Sequence, residues 1–137
     1  MKYKRIINLY SILKKYFNEK ELSFEYSYYF FQLMQQLTPI VQIYFQKENH
    51  IIEQYAKGEN EKGEIIFETK ENQEKCLQEL EFLQNEDITV NIQKIPLNLS
   101  DFKNMNILVP PFSFNYLKDI FDIQIESEEE ENDNGIK

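Results

Sequence analysis

A stripe of apolar side chains runs at helical spacing from Leu22 to about Tyr55, and no other stretch limits the fold as much. Tyr26, Phe30, Leu33, Leu37, Ile40, Tyr44, Ile51 and Tyr55 follow one another at steps of three and four, with a single step of seven. Met34, Val41, Phe45 and Ile52 widen the stripe, and Glu25, Gln32, Gln35, Gln42, Gln46, Asn49 and Glu53 form a polar row opposite it. Such a pattern predicts one long amphipathic helix with a buried flank and a wet flank. Pro39 falls on the polar row, where it removes one backbone donor and crowds the Gln35 carbonyl. It predicts either a kink or, on the rival reading, a break into two helices at Thr38.

The rest of the chain arranges itself around that helix. Residues 4–18 carry Ile6, Leu9, Tyr10, Leu13 and Phe17 on one side, a first helix. The short polar link after Asn18, with Ser23 as a candidate N-cap, predicts an antiparallel helical hairpin. The charged stretch Gly58–Gly63 reads as a loop, and Glu64–Glu68 as a short strand. A third helix over Lys70–Gln84 uses Cys76, Leu77, Leu80 and Leu83, with Asn85 as its C-terminal cap. Ile88, Val90 and Ile92 alternate with polar residues as in a half-buried strand that Pro96 ends. The two strands flank a helix, as in a parallel βαβ unit or in an antiparallel pair across a helical excursion. One helical turn is expected after Ser100, and Pro110-Pro111 opens a last helix through Phe112, Tyr116, Leu117, Ile120 and Phe121. The expected class is α+β, mainly α: a helical hairpin with a long kinked second helix, a two- to three-stranded sheet and two further helices. Residues 1–125 read as one domain, and 126–137 as a disordered acidic tail.

Only three glycines and four prolines punctuate the 137 residues, which disfavours a many-turned sandwich. Cys76 is the only cysteine, so no internal disulfide forms. Lys2, Lys4 and Arg5 precede no unbroken apolar run, so no signal peptide is expected, and no stretch is apolar enough to span a bilayer. A soluble, intracellular protein is the expectation.

Candidate chemistry is thin. His50 with Glu53 makes a two-residue ligand pair with no second histidine to complete it, so the expectation is a polar residue and no metal. No nucleophile elbow or phosphate loop fits glycines placed at 58, 63 and 135. Cys76 reads as a small core residue. The acid pairs Glu79/Glu81, Glu86/Asp87 and Asp119/Asp122 read as solvated faces. Neither a catalytic centre nor a cofactor or small-molecule substrate is expected.

The net charge of −9 is split between a basic start and an acidic end. Lys2, Lys4, Arg5, Lys14, Lys15 and Lys20, interleaved with tyrosines, are ingredients for nucleic-acid contact and equally the outer face of an amphipathic helix. The acidic total weighs against nucleic acid. Glu128, Glu129, Glu130 and Glu131 are a solubilising run or candidate electrostatic contacts to a basic partner. Phe24, Tyr28 and Tyr29 flank the main stripe, more aromatic surface than one core face needs, and form a candidate protein-interaction surface.

Gly63-Glu64-Ile65-Ile66, the spacing of Leu77, Leu80 and Leu83, Glu86-Asp87, the run Val90, Ile92, Ile95 and Leu97, and the closing Leu117–Phe121 carry a resemblance. Across residues 4–122 the chain resembles an uncharacterised family of small proteins from tailed phages and prophages of low-GC bacteria. The dense aromatic cluster Phe24–Phe31 and the acidic tail depart from that family. The resemblance implies a phage context, in the bacterial host cytoplasm or the virion. It implies a structural, assembly or host-interaction role exercised through a phage or host protein partner, or through self-association. A second expectation is a small acidic inhibitor of a host defence nuclease or another nucleic-acid-binding protein, drawn by charge.

Overall fold

Helix α1 (Tyr3–Tyr16) and helix α2 (Phe24–Tyr55) open the chain in a computed structural model that describes residues 1–18 and 21–124. Hairpin β1 (Ala56–Glu59) and β2 (Ile65–Phe67) follows, then α3 (Lys70–Gln84) and β3 (Ile95–Asn98). Helix α4 (Leu99–Asn104), a 3-10 turn at Pro111–Ser113, α5 (Phe114–Leu117) and β4 (Phe121–Gln124) complete it. The class is α+β, mainly α. Contacts divide the chain into two units, one of Met1–Ile7 with Gln35–Val90, the other of Asn8–Met34 with the described part of Asn91–Lys137.

In the first unit, α2 runs through Pro39 unbroken. The proline is exposed, so its ring meets water and displaces nothing in the core. Leu37, Val41 and Tyr44 bury the inner stripe, and Tyr3, Tyr44 and Leu83 form a cluster edged by Ile7, Ile40, Ile51 and Ile88. The polypeptide around Lys2 pairs with the segment after α3: Lys2 bridges Asp87, and the Ile88 N–H donates to the Met1 carbonyl at 2.8 Å. Thr69 Oγ1 caps α3 by accepting from the Asn72 N–H at 3.1 Å, and Asn85 ends it as its spacing predicts. Leu77 and Phe45 were expected in the core and instead face solvent, 57% and 45% exposed. Each lies one helical step beyond the residues that are buried beside it, Cys76 and Tyr44.

The expected loop Gly58–Gly63 is a turn from Asn60 to Gly63, but Gly58 and Glu59 belong to the first strand of an antiparallel hairpin, with Glu59 opposite Ile65, Gly58 opposite Ile66 and a bulge before Ala56 meets Phe67. Asn60 shapes the turn, since its Oδ1 accepts from the N–H groups of Lys62 and Glu64, both at 2.9 Å. Gly63, at φ 77°, takes the left-handed conformation that the turn requires.

In the second unit, Phe17 is the hub of the core. Its ring stacks on Phe30 at 4.9 Å, tilts against Phe121 at 5.9 Å and meets the edge of Phe102 at 6.3 Å. Leu9, Leu13, Leu33, Ile95, Leu97, Ile107, Leu117 and Ile120 are also buried here. The alternation at Ile88–Ile92 does not make a strand; its pairing with the start of the chain stops at the Asp87 bridge and the Ile88–Met1 hydrogen bonds. Strand β3 forms further on and contains Pro96, in a parallel pair with β4 in which Ile95 faces Phe121 and Leu97 faces Ile123. The Ile95 N–H donates to the Ile120 carbonyl at 2.7 Å, so Pro96, one residue on, has its missing donor on the side away from β4. The predicted last helix is correspondingly short, because Phe121 leaves it for the strand. Among the described residues, two separate two-stranded sheets result.

Candidate protein-interaction surface

Ser23 starts α2, with its Oγ accepting from the Tyr26 N–H at 3.4 Å and its carbonyl accepting from the Ser27 N–H at 2.9 Å. From there the helix sorts its aromatics by direction. Phe30 turns inward to Phe17. Tyr26 is half-buried and donates its hydroxyl to Asp101 Oδ2 at 3.0 Å. Burial, then the hydrogen bond to Asp101, then the Asp101 charge push its pKa up to about 12, so it stays a neutral donor across the physiological range. Phe24, Tyr28 and Phe31 turn outward, 89%, 51% and 59% exposed. Steps of four and three put these three rings on one helix face.

Tyr29 stands beside that face, partly covered, and donates its hydroxyl to Glu25 at 3.2 Å; this hydrogen bond is the main cause of its raised pKa. Tyr28 accepts from Gln32 Nε2 at 2.9 Å and lies 6.5 Å from the Tyr29 ring. From residue 26 to residue 46 the helix carries no Asp, Glu, Lys or Arg, in a chain whose residues are 28% charged. Next to Phe31 opens a pocket of about 250 Å³ whose apolar wall is Leu13, Phe17, Leu22, Phe30, Phe31 and Met34. Phe24 is not part of its wall. Charge depletion, aromatic exposure and an adjacent apolar pocket are features of protein-binding patches.

Phe31 belongs to this surface and was missed beside Phe24, Tyr28 and Tyr29. The stripe takes Phe30 and leaves Phe31 out, so its seven-residue offset from Phe24 was the available signal. Exposed apolar residues elsewhere, such as Phe82 on α3 and Leu108 and Phe112 near α5, do not form a comparable helical row.

The remaining candidates are placed as follows. His50 is exposed, and the described residues hold no group of three potential metal ligands. Cys76 is buried, and burial followed by the Glu79 charge raises its thiol pKa, which keeps it protonated. Glu79 accepts from the Tyr55 hydroxyl at 2.8 Å, and Glu86 lies 3.9 Å from Lys47. Lys14 and Lys15 sit over the Tyr10 and Tyr16 rings at 5.5 and 5.3 Å, so these two cations are engaged with their own helix. Glu128, Glu129, Glu130 and Glu131, with Lys20, lie outside the described residues. No described helix is long and apolar enough to cross a membrane. No protein-family model, curated protein or solved structure matches the chain.

Proposed function

We propose that this protein works by binding other proteins and not by catalysis, as a phage-derived minor virion component or assembly factor. The supporting observation is the row Phe24, Tyr28 and Phe31, three large rings held in water at helical spacing at the start of a helix with no charged side chain from residue 26 to residue 46. Exposed aromatics in such a row cost solubility unless something covers them. The phage setting rests on the resemblance carried by Gly63–Ile66, the α3 leucines and Leu117–Phe121. Affinity capture from phage-infected cells tests the proposal, comparing the wild type with a Phe24→Ser/Phe31→Ser variant. A phage or host protein retained by the first and lost by the second is the expected result. Identical captures, or none, refute it.

A further inference from the structure

Seven residues of the second unit, 107–113, sort their exposure by every third position. Ile107 and Ser113 are buried, and Pro110 between them is half-buried. Leu108 and Pro111 are exposed, Leu108 to 87%, and Phe112 is 69% exposed beside a half-buried Val109. Three residues per turn is the repeat of polyproline II, and also of the 3-10 turn that follows. Backbone geometry agrees, with Pro110 at φ −63° and ψ 147°. Val109 precedes a proline, which holds it extended. Asn106, at φ 53°, ends α4 in the left-handed conformation that asparagine tolerates and turns the chain out of the helix. At the far end the Ser113 N–H donates to the Pro110 carbonyl at 2.9 Å. Among the described residues the N–H groups of Ile107, Leu108 and Val109 make no backbone hydrogen bond, and the two prolines have none to offer.

We propose that Leu108, Pro111 and Phe112 form a docking edge for a partner protein whose groove is lined with aromatic rings and reads polyproline II. The shape of the segment selects that occupant. A partner strand needs a run of N–H donors, and Pro110 with Pro111 interrupts it. A groove built for a helix needs anchors along a helix, and 107–110 lie in none. Side-chain reading of an extended chain is what the segment offers, with Leu108 and Pro111 about 9 Å apart at polyproline II spacing. Ile107 and Ser113, buried at its two ends, hold that shape before any partner arrives, so little ordering entropy is left to lose. One such turn covers less than a standard interface, so the contact is weak and reversible. The edge shares no residue with the row Phe24, Tyr28 and Phe31, and the two surfaces are tested separately.

NMR titration of the nitrogen-15-labelled full chain with purified SH3 and WW domains, each up to 1 mM, tests this, since both classes carry an aromatic groove for polyproline II. At least one domain should bind, shifting the amides of Leu108, Val109 and Phe112 first, and a decaproline peptide should displace it. Leu108→Ala and Phe112→Ala should each weaken that binding about tenfold or more, whereas Phe24→Ala should leave it unchanged. Helical circular dichroism confirms that these exposed-site variants fold. No binding at 1 mM, binding that survives both substitutions, or binding that decaproline does not displace overturns the docking edge. Shifts confined to Phe24, Tyr28 and Phe31 overturn it too, and leave the protein-binding reading of that row standing.

Discussion

Truncating Phe17 to alanine tests the account of the second unit's core most directly. The ring is 4% exposed and lies within 6.3 Å of three others, Phe30, Phe102 and Phe121. Those rings come from α2, α4 and β4, so the gap cannot be closed by one side chain turning. A buried Phe→Ala change with little relaxation costs about 3–5 kcal/mol, and part of that is the loss of ring-on-ring contact, about 0.5–1.5 kcal/mol per pair. Against a typical total of about 5–15 kcal/mol the loss is large, and in a chain of this size it lowers the melting temperature by about 10 °C or more. Urea unfolding followed by circular dichroism measures it, with Phe82→Ala as the control because that ring is 82% exposed. The control should move stability by less than about 0.5 kcal/mol. A Phe17→Ala loss below about 1 kcal/mol, or one no larger than the control's, refutes the hub assignment.

Four other expectations follow from named contacts. Ser113 is fully buried and its hydroxyl has no hydrogen-bond partner among the described residues, so Ser113→Ala should stabilise by about 1 kcal/mol, and a lower melting temperature would contradict this. Thr69→Ala removes the α3 cap and should cost about 1 kcal/mol in urea unfolding, whereas Thr69→Asp should cost little. Tyr26 titrates at about 12 in the fold and at 10 when free, so its contribution is intact below pH 10 and lost as pH rises toward 12. Tyr26→Phe should flatten that alkaline loss and remove one late-titrating phenol from the ultraviolet titration; an unchanged curve argues against the Asp101 bond. Cys76 should react with a thiol reagent on the order of a hundredfold more slowly in the native protein than in denaturant, and fast native labelling would show it accessible.

What could be read from the residues follows the range of the interactions. Helices α1, α2 and α3 depend on contacts three and four residues apart, and their stripes, the Ser23 start and the Asn85 stop appear directly in the order of side chains. Strands depend on a partner chosen elsewhere. Ile88–Ile92 has the better alternation, yet Ile95–Asn98 forms the ladder, because β4 supplies its edge and a proline is harmless where its nitrogen faces away. Phe121 shows the same competition, drawn out of a helical pattern by pairing with Ile95. Ala56–Glu59 has no apolar rhythm at all and is extended only because β2 folds back on it. At the candidate surface, Phe24 and Tyr28 were legible as surplus to the stripe. Phe31 was open to the same reasoning, since the stripe takes Phe30 and leaves its neighbour a helical step outside it.

Both contact-defined units are discontinuous: the first takes Met1–Ile7 and Gln35–Val90, and the second takes the pieces on either side of Gln35–Val90. No single contiguous fragment therefore consists of either one alone. Expressing residues 1–90 would carry the whole first unit together with a stretch, 8–34, stripped of its packing partners, and 91–137 would be an incomplete half. A protease nick in the turn around Asn60 should leave the severed pieces associated until a denaturant parts them.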